Sequence, residues 1–454
     1  MSVNITFLGG TGTVTGSKYL VQHDGKKLLV DCGLFQGYKQ LRLRNWNPMP
    51  IEAADVDAVL LTHAHLDHSG YLPLLHRQGF RGRVHATPAT CDLCAILLPD
   101  SGHIQEEDAA FLNRHGYSKH TPALPLYSKH DAIVSLNLLH PEVIGKTFSP
   151  IPGWKATFSS SGHILGAASI LLEVAGRRIL FSGDLGRPDD LVMNPPDLPP
   201  EADTVLIEST YGNRTHPKED VLAELAPALK RVASRGGVAV VPVFAVGRAQ
   251  ALLYAISLLK ERGDIPRSLP IFLDSPMAVH TTELLPRHPD ALRLDTHALH
   301  KMAHIATMVE TPEQSKALAK HHGPMVILSA SGMATGGRVL HHLAHYLPDH
   351  RNMVILTGYQ APGTRGDTLA KGNSTVRIHA QDVAVNAEVV QLESSSAHAD
   401  ATQLISWLKH MKHAPSQVYV VHGELDAADT MRQRIERELR WRAVVPEHGS
   451  TWPT

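Results

Sequence analysis

The chain's 454 residues exceed what one ordinary core organises, so two or three domains are expected, and its 43% hydrophobic and 19% charged residues suit a globular enzyme. A net charge of -1 supplies no global positive field, so an anionic partner must be held by local charges or by metal. With 3 Cys and no apolar run near the ~20 residues of a membrane span, the composition excludes a disulfide framework and a spanning helix, and it fits a reducing, cytoplasmic compartment. The start, Met1 to Gly10, lacks a basic segment followed by a long apolar core, so no signal peptide is expected.

Residues 1–210 read as many short strands with interspersed helices. Val3–Leu8, Lys18–Gln22 and Lys27–Val30 are predicted strands joined by Gly-rich turns. Gly9, Gly10, Gly12 and Gly16 invite a dinucleotide-binding reading, which fails because Lys18-Tyr19-Leu20-Val21 continues as strand and opens no helix. No complete P-loop pattern is present. Cys91 and Cys94 form a single CxxC with no second pair, so they read as half-buried cysteines one helical turn apart. From about 210 to 390 apolar strands alternate with amphipathic helices. Val238–Val241, a helix Arg248–Arg262, Ile271–Leu273, Met325–Leu328 and Met353–Leu356 follow this style and predict an α/β layer with a largely parallel sheet. After 390 come Val389–Leu392, a helix near Asp400–Lys412, the strand Val418–Val421 and a last helix near Asp426–Trp441.

The chemistry concentrates in His63-Ala64-His65-Leu66-Asp67-His68, which follows the apolar strand Val59-Leu60-Leu61. His63 and His65 project to one side of an extended segment, and Asp67 and His68 reach a second point beyond a bend. Zinc accepts imidazole and carboxylate ligands, and a catalytic zinc needs only three from the protein. A metal-free, His-rich turn is the competing reading, since the chain holds 30 His. Asp31, His163, Asp184, Glu208 and His422 each follow a strand-like segment, where a rigid sheet can hold a side chain at a shared cleft. An Asp there is usually a turn former or a helix cap. Together they populate two metal sites: His63, His65 and His163 in one; Asp67, His68 and His422 in the other; Asp184 bridging.

The chain resembles the metallo-β-lactamase superfamily. His63-x-His65-x-Asp67-His68, His163, Asp184 and the late His422 match its ligand motifs in order, and Asp31-Cys32-Gly33 resembles its first motif. The long insertion before His422 resembles the β-CASP branch, with Glu208 as motif A, His398 as motif B and His422 as motif C. The resemblance covers nearly the whole chain and lies nearest the bacterial and archaeal homologues of the cleavage-and-polyadenylation endonuclease. It departs from the archaeal enzymes in starting directly on the catalytic fold, without KH domains. It implies an α/β fold: a metallo-β-lactamase αββα sandwich from 1–208 and 390–454, with an α/β β-CASP domain inserted over 209–389.

The resemblance also implies a cytoplasmic, zinc-dependent ribonuclease with two Zn2+ per chain and single-stranded RNA as substrate. Cleavage is endonucleolytic, 5′-exonucleolytic or both. A hydroxide between the metals attacks the phosphodiester, with Asp31, Asp67, Glu208 and His398 as catalytic residues and His398 the expected proton donor. Pairing with Glu208 favours a charged His398, whereas an expected position at a helix N-terminus opposes it. Gly332, in the Gly-rich loop before the helix Arg338–Tyr346, with Ser396, Arg248 and Arg365, is expected to contact RNA phosphates. Taken singly, each arginine also reads as an ion pair and the loop as a plain turn. No membrane partner is expected, and the sequence leaves a homodimer open. Two other enzymes remain as alternatives: a metallo-hydrolase of small thioesters or lactones, and a DNA nuclease of the repair branch, against which His422 argues because that branch carries Val at motif C.

Overall fold

The computed structural model describes residues 2–217, 220–321 and 323–454. It divides into two units: Met1–Pro188, Pro195–Thr215 and His398–Thr454 form the first, and Asp189–Asn194 with His216–Ala397 form the second.

The first unit is built on two seven-stranded sheets. One runs in the order Thr451–Pro453, Asn4–Phe7, Tyr19–His23, Lys26–Val30, Ala58–Leu60, Arg83–Ala86, Leu139–Pro141. Its first four strands pair antiparallel, and it becomes parallel from Lys26–Val30 onward. The other runs Ala443–Val444, Gln417–Val420, Thr204–Ile207, Arg177–Phe181, Ala168–Val174, Lys155–Ser160, Thr147–Phe148. Period-two alternation decides what each face buries. Ile5, Val21, Leu28, Val30 and Leu60 of the first sheet share a core with Phe158, Ile170, Leu172, Ile179 and Phe181 of the second. On the second sheet's other face, Leu180, Val205, Ile207, Val418 and Val420 are covered by Leu404, Ile405 and Leu408 of the helix Ala401–Leu408 and by Met431 of Leu425–Arg434. Each such side chain, fully buried, stabilises by about 1.5–3 kcal/mol. On the first sheet, Leu29, Val59 and Val84 point the other way and are equally buried. Its parallel strands require crossovers, and the helices Leu72–Arg77, Pro88–His115 and Lys129–Ser135 lie in them.

The second unit carries a six-stranded, wholly parallel sheet ordered Thr307–Met308, Ile271–Asp274, Met325–Ser329, Val238–Pro242, Met353–Thr357, Glu388–Leu392. Strands covered on both faces read as unbroken apolar runs, as these do. The strand Val389–Leu392, expected to open the return to the first domain, instead pairs with Met353–Thr357 in this sheet, and the chain re-enters the first unit at His398. Residues 209–215, expected in the insert, belong to the first unit. The helix Arg248–Arg262 spans the expected residues. No helix among the described residues is long and apolar enough to cross a membrane.

Candidate metal centre

Strand direction brings the site together. Arg177–Phe181, Thr204–Ile207 and Gln417–Val420 are adjacent and parallel, so Asp184, Glu208 and His422 leave the same edge of their sheet. Lys155–Ser160 is antiparallel to Ala168–Val174, itself antiparallel to Arg177–Phe181, so its carboxyl end and His163 share that edge. In the other sheet Lys26–Val30 and Ala58–Leu60 are parallel neighbours, which sets Asp31 beside the loop from His63 to His68. Gly33 is required there, because a Cβ on it would lie 1.6 Å from the Asp67 carbonyl oxygen. Asp31 and His422 hold φ of +60° and +47°, left-handed values costly for side-chain-bearing residues and met where a site over-determines the backbone.

Two donor clusters result. His63 Nε2 and His65 Nδ1 are 3.1 Å apart, and His163 Nε2 is 3.3 Å from His65 Nδ1. Asp184 Oδ2 closes this group at 3.5 Å from His63 and 3.6 Å from His163. In the second, His68 Nε2 and His422 Nε2 are 3.1 Å apart, and Asp67 Oδ2 lies 3.3 Å from His422 and 3.6 Å from His68. Asp184 Oδ1 lies 3.4 Å from His68 Nε2, so the one carboxylate faces both groups. These are the seven residues the sequence nominated, in the same grouping.

The donor set fits divalent cations. Four ligands at 2.0–2.1 Å in a tetrahedron stand about 3.3 Å apart, which is the spacing around both clusters. Asp184 Oδ1 is buried with no well-formed hydrogen bond. Burial holds His63 well below the ordinary imidazole pKa and pushes His65 down to about 4, keeping both in the neutral form that ligates metal. Burial opposes charge on His68 too, but Asp184, Asp31 and Asp67 together outweigh it and hold its pKa well above normal. Burial likewise opposes charge on Asp184, and His422, His68 and His63 overcome it and keep its carboxyl well below the usual range.

Asp31 and two threonines orient the imidazoles. His68 Nδ1–H donates to Asp31 Oδ2 (2.7 Å), which turns Nε2 toward the cluster. The Thr62 N–H donates to Asp31 Oδ1 (2.8 Å), and its hydroxyl donates to the same carboxylate (2.9 Å). That leaves the hydroxyl oxygen to accept from His63 Nδ1 (3.1 Å). Thr210 Oγ1 accepts from His422 Nδ1 (3.0 Å). Neither threonine stands out in the sequence except by adjacency, Thr62 just before His63 and Thr210 two residues after Glu208.

Beside the first cluster, His398 Nδ1 stands 3.2 Å from each oxygen of Glu208, and its ring lies 4.4 Å from that of His163. Glu208 is fully buried, and its Oε1 also accepts from the Leu185 N–H (2.7 Å). Contrary to expectation, His398 is not at a helix start: Asp400 caps the helix Ala401–Leu408, and His398 bridges to Gly186 as extended chain. The helix-dipole penalty is correspondingly remote. Burial still opposes charge on His398, but Glu208 outweighs it and the pKa is raised.

The residues expected to contact RNA all lie in the second unit. The buried Arg248 guanidinium donates to Asp190 Oδ2 (3.2 Å) and to the Ser395 carbonyl. Arg365 donates to the carbonyls of Arg377 (2.7 Å) and Thr335 (3.0 Å). Ser396 is buried. Gly332 lies against Phe244, whose ring a Cβ would meet at 2.6 Å. In the first unit, Cys94 is buried and Cys91 half-buried, both in the helix Pro88–His115.

Three family descriptions match: the Metallo-beta-lactamase superfamily over residues 11–91, the Beta-Casp domain over 249–369, and the Zn-dependent metallo-hydrolase RNA specificity domain over 382–446. The chain is 38% identical over 429 residues to Ribonuclease TTHA0252 of Thermus thermophilus, covering 93% of each protein. It belongs to the β-CASP branch of the metallo-β-lactamase superfamily. The β-CASP relatives include Transcription termination factor FttA of Methanocaldococcus jannaschii, 30% identical over 96% of this chain and 70% of that protein. An RNase J-like protein of the same archaeon is 29% identical over 99% of this chain and 100% of its own. A crystal structure of a protein of unknown function from Enterococcus faecalis matches with a TM-score of 0.53 at 14% identity, covering 100% of both chains, a likeness of fold.

Proposed function

We propose that the protein is a zinc-dependent ribonuclease that hydrolyses phosphodiesters of single-stranded RNA. The observation that carries the reading is Asp184, whose two oxygens face two separate donor clusters while His398 and Glu208 stand alongside. His63, His65 and His163 would hold one Zn2+, Asp67, His68 and His422 a second, and Asp184 would serve both. Zinc there supplies the Lewis acidity that activates water and draws charge from a phosphate. The name of the Thermus relative and the RNA specificity domain support RNA as the substrate class.

The chain's own residues perform the rest. Asp31 and Thr62 hold His68 and His63 by their Nδ1 atoms, which leaves each Nε2 to face the donor cluster where a metal would sit. The His398 Nδ1–H donates a hydrogen bond to Glu208, which leaves Nε2 to carry the proton for the departing ribose oxygen. His398→Ala is expected to cut turnover on labelled RNA by about 10²–10⁴-fold while bound zinc stays at the wild-type level. A parallel loss of zinc would make His398 part of the metal framework instead. RNA labelled at the 5′ and at the 3′ end, with and without chelator, tests the reaction and reports internal against stepwise cleavage. A wild-type enzyme that leaves RNA intact yet hydrolyses a thioester refutes it.

A further inference from the structure

The segment between Phe35 and Asn45 leaves the fold as a closed excursion. Asn45 pins its two ends together: the Phe35 N–H donates to Asn45 Oδ1 (2.9 Å) and Asn45 Nδ2 donates to the Phe35 carbonyl (2.8 Å). Between these points the helix Lys39–Arg44 has no buried residue. A helix normally pays the entropy of ordering by burying one face, and this one does not. It and its flanks expose Tyr38 (52%), Leu43 (52%) and Trp46 (57%), large apolar groups that water disfavours. Among the described residues neither ring stacks on another aromatic group, and neither Lys39 nor Arg42 forms an ion pair. Arg44 lies over the Phe35 ring at 5.4 Å. From Cys32 to Pro50 the sequence holds Lys39, Arg42 and Arg44 and no acidic residue, in a chain of net charge -1.

The base of the excursion runs along the metal loop. The Cys32 N–H donates to the His68 carbonyl (2.7 Å) and the Leu34 N–H to the Leu66 carbonyl (2.8 Å). Unpaired cations interleaved with unstacked aromatic rings match single-stranded nucleic acid, which offers a phosphate charge and a base face at every step.

We propose that Tyr38–Trp46 is a platform for single-stranded RNA: Tyr38 and Trp46 stack on bases, and Lys39 and Arg42 neutralise phosphates of the strand entering the metal site. The proposal rests on the ribonuclease reading and deepens it. The test uses the zinc-loaded full chain and a labelled 20-nucleotide oligouridine. Trp46→Ser is expected to raise KM about tenfold, and Trp46→Phe to recover most of that loss. The double variant Lys39→Ser/Arg42→Ser is expected to flatten the slope of log(kcat/KM) against log salt by about 1.4. All variants should melt with the wild type; an early-melting one would show that these side chains support the fold and overturn the platform. KM within twofold of wild type for Trp46→Ser, or an unchanged salt slope in the double variant, overturns the platform and leaves the ribonuclease reading standing. Wild-type enzyme that does not cleave the RNA removes both.

Discussion

Replacing Asp31 by Asn is the sharpest test of how the metal centre is held. Asp31 Oδ2 accepts from His68 Nδ1 (2.7 Å), and its other oxygen accepts the Thr62 N–H (2.8 Å). An asparagine matches the shape but offers one acceptor oxygen and one donor NH2. If the oxygen stays with Thr62, the NH2 confronts the Nδ1 proton of His68; if it turns to His68, the NH2 confronts the Thr62 N–H. Either way one charge-assisted bond becomes a donor–donor contact. His68 then loses the partner that fixes its tautomer, and losing such a partner typically weakens metal affinity by about 10- to 100-fold, or about 1.4–2.8 kcal/mol. Competition between the protein and a zinc-chelating dye measures this directly, with His398→Ala as a variant expected to keep its zinc. Asp31→Asn holding zinc as tightly as wild type would refute the orienting role and make Asp31 a loop-forming residue.

Thr62→Val removes a hydroxyl that reaches both the Asp31 carboxylate and His63 Nδ1; urea unfolding of the metal-stripped protein should show a loss of about 1–3 kcal/mol, and a double variant with Asp31→Asn should lose less than the sum of the two. Lys18 is fully buried, donates to the Gly33 carbonyl and lies 4.5 Å over the Tyr71 ring, and burial pushes its pKa down to about 8 from 10.5. The unfolded chain therefore binds more protons between those values, so stability rises with pH: from pH 7 to 9.5 Lys18 contributes a gain of about 2 kcal/mol that Lys18→Met should abolish, as read by urea unfolding at both pH values.

The second unit's strands were legible because a strand covered on both faces must be apolar throughout, as Val238–Val241 and Met325–Leu328 are. Their order was not, because pairing is decided by crossovers that leave no mark on any one strand. Val389–Leu392 shows the consequence: its apolar residues suit either sheet, and only its register against Met353–Thr357 assigns it to the insert. At the other boundary, residues 209–215 form no strand and no regular helix, so nothing periodic marked them as part of the first unit.

The members of the two donor clusters were legible for a different reason. A His or Asp just past an apolar strand is rare enough in combination that seven of them constrain one another, and parallel strands guarantee a shared edge. Hydroxyl partners such as Thr62 and Thr210 were hidden because threonine is common in strands and turns alike. The balance of charge then links centre and surface. Asp31, Asp67, Asp184 and Glu208 outnumber His68 and His398, the two imidazoles whose pKa is raised, while His63 and His65 stay neutral through burial. Such a site repels a phosphate until cations fill it, and even then it presents its acceptors inward. A polyanion would first meet the fold at cations turned to solvent, and Lys39 and Arg42 stand on the segment whose base is bonded to the metal loop.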